Sequence, residues 1–263
     1  MNSDVKTWDR RTLLKGSLVL GATAAVTPLS AAMSAKPLQT AASTIQIDHI
    51  ALGVQNLYEG ASRLRSETGF GVTEGGWFRG LGIANRIMPT GADTYIEIES
   101  VIDSYELDRG NPLAQWYHRQ LADGDCFIGW CCRVTSLDEL HAIAKRLGSE
   151  VLVGPIRTKA DDSAGIATRT PDTAACWAKG LPNFFYVPDV TYNAGHVPLP
   201  GANMPHGIAW LELGGTEKQM SEWLGIPAST LPLRFNGSTP GIHAVGINSD
   251  RGVVEIRRKP IVV

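Results

Sequence analysis

From Ile47 to Val54 the chain reads IDHIALGV, apolar except for Asp48 and His49 near its start, and predicts a strand. After it, Asn56 stands where a helix cap belongs, and Leu57, Ala61 and Leu64 recur near helical spacing until Gly69. Gly75, Gly76, Gly80 and Gly82 then cut the chain into short strands. Tyr95–Val101 (YIEIESV) alternates, with Glu97 and Glu99 on one face and Ile96 and Ile98 on the other. Residues 45–103 therefore predict a β-α-β-β-β order, with a histidine on the first strand and glutamates on the last.

The order recurs. A connector, residues 104–125, is helical around Pro112–Leu121. The second unit, 126–192, opens with an apolar strand at Phe127–Val134 and a helix from Ser136 that carries the capping pattern Ser136-x-x-Glu139. Strands follow at Glu150–Val153 and Asn183–Val187, around a loop-rich stretch over 154–182. Aligning the helix starts puts Gly129 where His49 stands, and aligning the closing strands puts Phe185 about where Glu97 stands. After a Pro/Gly-rich link, His196–Pro205, a third unit occupies 206–259. It has strands at Gly207–Leu213, Leu233–Phe235, Gly241–Ile247 and Gly252–Arg257 and a short helix over Thr216–Leu224. Its closing VVEIRR aligns with YIEIES, so Glu255 falls opposite Glu97. Ala209 falls where the histidine would be, and His206 points to the other face of an unbroken strand. His243, on the penultimate strand, reads as a core or pocket residue. Such repetition predicts an α+β fold of repeated modules in a cupped mixed sheet.

Asp48-His49-Ile50, the run GIANRIM at Gly82–Met88, and Tyr95-Ile96-Glu97 occur in that order within one frame. Together they resemble the vicinal oxygen chelate superfamily, in particular its glyoxalase-like branch, well over 45–103 and more thinly afterwards. The resemblance implies a divalent metal (Zn²⁺, Mn²⁺, Ni²⁺ or Fe²⁺) held by side chains on the first and last strands of two paired modules. His49 and Glu97 are the implied ligands. Glu255 becomes a third if units one and three pair. If units one and two pair, as chain order suggests, the pocket is half apolar and has two ligands. Glu97 and Glu99 are the candidate catalytic carboxylates; Asn85, Arg86 and Phe185 are the candidate substrate-binding residues. Two function classes follow: a metal-dependent lyase or isomerase acting on a small oxygenated substrate, and a metal-free protein of the same fold that sequesters a small apolar or aromatic compound. Ring-cleaving (extradiol) oxygenation at Fe²⁺ finds no two-His-one-carboxylate set in clean register.

The 263 residues, 43% apolar, suit one large domain or two small ones, and 24 basic against 26 acidic residues give no basic face for nucleic acid. Residues 1–35 read as an export signal resembling the twin-arginine type. Arg10-Arg11 precedes Thr12-Leu13-Leu14-Lys15, a mild apolar stretch and several small residues, although Asp9 stands where Ser or Thr is more usual. The expectation is a periplasmic or secreted protein, folded before export, tethered through residues 36–44 and without a stable membrane span after processing. Cys126, Cys131, Cys132 and Cys176 form an even set compatible with disulfides, but buried free thiols is the preferred reading. Cys131 and Cys132 are neighbours on a strand and face opposite ways. No C-x-x-C occurs, which argues against a zinc knuckle. Of the seven tryptophans, Trp77, Trp130 and Trp210 sit on or beside strands, to pack the core or line a pocket. Three modules leave one over, to cover the sheet or to mediate a homodimer.

Overall fold

A computed structural model describes residues 45–78, 80–91, 93–155, 166–169, 173–186 and 198–261. The expected export signal and tether lie outside the described residues, as do most of 154–172 and the stretch 187–197, where the second unit was expected to end.

The first unit is built from β1 (Gln46–Gly53), α1 (Leu57–Thr68), β2 (Thr73–Phe78), β3 (Ile83–Pro89) and β4 (Tyr95–Val101). Its helix begins because Asn56 Oδ1 accepts from the backbone N–H of Tyr58 and of Glu59, each at 3.1 Å. It ends at Gly69, whose φ of +75° is left-handed and whose N–H reaches Arg65 O. Leu57, Ala61 and Leu64 are buried beneath it. In β4 the predicted alternation holds: Ile96 and Ile98 are sealed in the apolar core, and the odd-numbered residues face the opposite side of the sheet.

The connector forms α2 (Ser104–Asp108) and α3 (Pro112–Gln120). The second unit follows with β5 (Cys126–Arg133), α4 (Leu137–Arg146), β6 (Leu152–Pro155), β7 (Ile166–Arg169), α5 (Thr173–Ala178) and β8 (Asn183–Tyr186). Ser136 Oγ accepts from Glu139 N–H at 3.1 Å, and the Glu139 carboxylate reaches back to Thr135 N–H at 3.4 Å, one residue further out than a capping box. Both units place the last strand parallel to the first, β4 beside β1 and β8 beside β5. They join edge to edge where β1 runs antiparallel to β5, so the described strands are ordered β2-β3-β4-β1-β5-β8-β7-β6. This is the expected curved mixed sheet of an α+β fold.

The third unit has β9 (Pro205–Leu213), α6 (Glu217–Leu224), β10 (Leu233–Phe235), β11 (Ile242–Ser249) and β12 (Gly252–Arg257). It repeats the element order but not the strand order. Its separate sheet runs β10-β9-β11-β12, so the closing strand lies at an edge, away from the first. Leu211, Leu213, Val245, Ile247, Met220 and Leu224 enter the same core as Ile50, Leu52, Leu64, Ile96 and Leu140. The unit thus packs on the side of the large sheet that carries α1 and α4. Polar contacts fix it there: Arg258 pairs with Glu67 at 2.6 Å, and the Arg146 guanidinium donates to the Glu222 and Trp223 carbonyls at 2.8 and 2.6 Å. A two-residue strand, β13 (Lys259–Pro260), then returns to the large sheet and pairs parallel with β5. Among the described residues no helix is long and apolar enough to cross a membrane.

Candidate functional site

The site lies on the face of the large sheet opposite α1 and α4, and one irregularity in β1 creates its centre. The β1–β5 register steps from Ile47↔Cys132 to His49↔Cys131, so Asp48 is an extra, bulged residue. In an unbroken strand Asp48 and His49 would face opposite ways. Here the fully buried Asp48 carboxylate lies 2.8 Å from Nδ1 of its neighbour. That contact leaves His49 Nε2 facing Glu97 Oε2 at 3.5 Å. Arg133 Nη1 stands 3.4 Å from the other Asp48 oxygen.

Glu97 is held from β3. Asn85 Nδ2 donates to Glu97 Oε1, while Asn85 Oδ1 accepts from Gly76 N–H. Glu99, two residues along the same face, accepts from the hydroxyl of Tyr117 on α3. The His49 ring stacks on Tyr95 at 5.0 Å between centroids and meets the tilted ring of Phe185 at 5.7 Å. The result is a polar edge from the first module and an aromatic wall shared with the second.

Burial works to lower the pKa of His49, but its electrostatic interaction with Cys131, its hydrogen bond to Asp48 and the charge of Glu97 outweigh it. The imidazole is held well above its ordinary 6.5. A pKa raised on folding contributes stability that is fully present below the unfolded value and lost as pH rises through the folded one. Urea denaturation should therefore show wild-type stability falling more steeply above neutral pH than that of His49→Gln. Parallel pH profiles for the two proteins would overturn this assignment. Burial likewise pushes the Tyr117 phenol well up, with the charge and hydrogen bond of Glu99 adding to it.

Five of the sequence-derived candidates meet here: His49, Asn85, Glu97, Glu99 and Phe185. Two do not, and both are corrections. Arg86 follows Asn85 on β3 and so faces the helix side, where its guanidinium lies 5.3 Å over the Tyr58 ring of α1. Arg86→Met is accordingly expected to leave ligand binding at the site unchanged, whereas Asn85→Ala, which frees the Glu97 carboxylate, weakens it about tenfold or more by loss of a charge-assisted hydrogen bond; calorimetric titration of both variants separates them. Glu255 lies on β12 in the other sheet and pairs with Arg257 at 2.9 Å, which also holds Glu212 at 2.9 Å. Units one and three do not share a cup, because the third closes with a different strand order. His206 pairs with Asp250 on the surface at 2.6 Å, and His243 faces Ser238 and the Thr239 carbonyl. Trp130 is core, Trp210 lies across Gly246, and Trp77 is 51% exposed.

The structure adds Tyr95, Tyr117, Cys131 and Trp177. Tyr95 was legible, since it shares parity with Glu97 and Glu99. Cys131 needs the β1–β5 register, and the other two come from helices with no strand parity.

A divalent metal would need ligands from the second module, and these are missing for a steric reason. At Gly129 a Cβ would lie 2.1 Å from Trp177 Cγ and Cδ2, and the indole N–H is tied to the Trp130 carbonyl at 2.9 Å. No ligand side chain can emerge there. The strand registers correct the expected alignment: Val54 N–H reaches Glu99 O as Val134 N–H reaches Phe185 O, so Phe185 matches Glu99 and Asn183 matches Glu97, while Glu99 itself is engaged by Tyr117. Among the described residues no three His, Cys, Asp or Glu side chains are placed to hold a metal ion. The donor set does not fit a catalytic metal, for which three protein ligands are usual.

Comparison with known proteins agrees with this architecture. Methylmalonyl-CoA epimerase from Mycobacterium tuberculosis is 16% identical, with 57% of this chain covered against 91% of that one and a TM-score of 0.40. A hypothetical protein from Staphylococcus aureus is 13% identical, with 82% and 87% covered and a TM-score of 0.51. At that identity the likeness to the Staphylococcus aureus protein concerns the fold alone. No curated protein matches. The family model described as a glyoxalase-like domain matches residues 47–225, well over half of the chain, and the chain belongs to that family.

Proposed function

We propose that this chain is an exported small-molecule-binding protein whose site takes a small oxygenated ligand with an apolar or aromatic body, without a protein-bound metal. The observation that carries this reading is the Trp177 indole packed over Gly129, with Phe185 standing where Glu99 stands in the first module. Those residues turn the second half of a ligand set into an aromatic wall. The opposite edge, His49 with Asn85-held Glu97, offers hydrogen-bonding groups to oxygen atoms.

Tryptophan fluorescence tests the reading. Titration of the folded protein with small phenols and oxo acids should quench emission through Trp177, and EDTA should leave the curves unchanged. Stoichiometric uptake of Zn²⁺, Mn²⁺, Ni²⁺ or Fe²⁺, with binding abolished by EDTA, would restore the metal-dependent enzyme and overturn this proposal. For the exported location, the support is the pattern of residues 1–35; replacing Arg10 and Arg11 with lysine should hold the precursor in the cytoplasm.

A second reading is favoured by the approach of Glu97 Oε2 to His49 Nε2 at 3.5 Å. A carboxylate beside an imidazole held protonated can take a proton from carbon and return it, as a lyase or isomerase requires. Solvent deuterium entering a bound oxo acid in wild type but not in Glu97→Gln would mark this activity. No exchange in wild type confines the protein to binding.

A further inference from the structure

We infer that Arg133 is the anchor for a carboxylate group, and that the molecule this site takes is a small aromatic carboxylate. Arg133 closes β5 and shares the parity of Gly129 and Cys131, which puts it on the site face of the sheet. Its partner in the β5–β8 ladder is Phe185, whose ring meets the imidazole of His49. Adjacent strands lie about 4.8 Å apart, so Arg133 stands directly beside the aromatic wall.

The protein matches the charge of Arg133 poorly. Its side chain is only 17% exposed, and among the described residues it forms one ion pair, Nη1 to Asp48 Oδ1 at 3.4 Å. That approach is not a hydrogen bond. Asp48 Oδ1 is buried without a hydrogen-bond partner, while the other carboxylate oxygen addresses His49 at 2.8 Å. Arg258, whose side chain is 19% exposed, shows the usual outcome, a contact of 2.6 Å with Glu67. Arg63, Arg146 and Arg257 likewise donate to protein oxygens. A guanidinium taken this far out of water with its donors unused is a costly arrangement. Its planar fork matches a carboxylate, to which it can give two parallel hydrogen bonds.

The register also sets where the rest of such a molecule lies. His49 is level with Cys131, two residues from Arg133 and about 7 Å along the strand, the span of a ring joined to a carboxylate. The body therefore falls between Phe185 and the stacked rings of His49 and Tyr95. Glu97 aligns through Ala51 with Gly129, about 13 Å of strand from Arg133, so its charge does not oppose the anion closely. This inference rests on the reading that the His49 face binds small molecules without a metal.

Phenylacetate and its neutral amide, phenylacetamide, are the probes, and calorimetric titration is the measurement. Wild type should bind phenylacetate about tenfold or more tightly than phenylacetamide. Arg133→Gln should weaken phenylacetate about tenfold or more and leave phenylacetamide within about twofold, a split that a merely structural role would not give. Equal affinity of wild type for the two probes, or tighter binding of the amide, overturns the carboxylate anchor and leaves the site reading standing. Parallel losses of both probes in Arg133→Gln overturn the anchor too. Failure of wild type to bind either probe overturns the site reading and the anchor together. The wild-type comparison is decisive by itself, whether or not the variant folds.

Discussion

Gly129→Ala is expected to lower stability by about 3 kcal/mol, a large loss for the addition of one methyl group. The new Cβ would sit 2.1 Å from two atoms of the Trp177 ring, so one of them must move. The indole has little room to retreat. It is 9% exposed, its N–H is committed to the Trp130 carbonyl, and it packs in the cluster that contains Cys176, Phe185 and Tyr117. Trp177→Ala alone should cost about 3–5 kcal/mol through the cavity it leaves. The double variant should cost hardly more than Trp177→Ala, because the clash disappears with the ring. Urea denaturation of the three proteins measures this directly. Additive losses would mean that Gly129 matters for some reason other than the indole, and the steric account of the missing ligand would fail with it.

Tyr117→Phe should be the most costly single-atom change at the site, about 2 kcal/mol at neutral pH. It removes the hydroxyl that donates to Glu99, a carboxylate only 5% exposed. Its pH signature has a definite sign. The phenol's folded pKa lies well above its ordinary 10, so its contribution is intact below that value and lost as pH rises through the folded one. Wild type should therefore lose stability steeply above about pH 10, and Tyr117→Phe should not. The difference in denaturation midpoint between the two should shrink at high pH. A difference that stays constant from neutral to strongly alkaline solution would separate the phenol from the effect.

The first module could be read almost directly from the chain, because each of its signals is local. Asn56 and Gly69 mark helix ends by their own backbone geometry, and the parity of Tyr95, Glu97 and Glu99 fixes a face as soon as β4 is recognised. Site residues on those strands were found for the same reason. What could not be read is set by pairing between distant segments. Arg86 was grouped with Asn85 by motif, although neighbours on a strand take opposite faces. Glu255 was matched to Glu97 by a similar string, yet β12 closes its sheet beside β11 rather than beside β9. Cys131 entered only through the register with β1, and that register includes a bulge that no period-two pattern announces. The failed metal site has the same origin: the indole that blocks Gly129 comes from α5, almost fifty residues further on.

The return of β13 to the large sheet bears on how the molecule is made. Lys259 and Pro260 pair with Cys126 and Phe127, and Ile261 is buried in the cluster beside the site. The last pieces of the first two modules' sheet are thus supplied from beyond the third. A nascent chain that has emerged only through β8 holds both modules but not the segment that finishes their shared face. Contacts this distant in sequence close late and slow folding. Completion of the binding face is thereby coupled to docking of the third module, so a molecule with a finished cup has also passed through assembly of the whole fold.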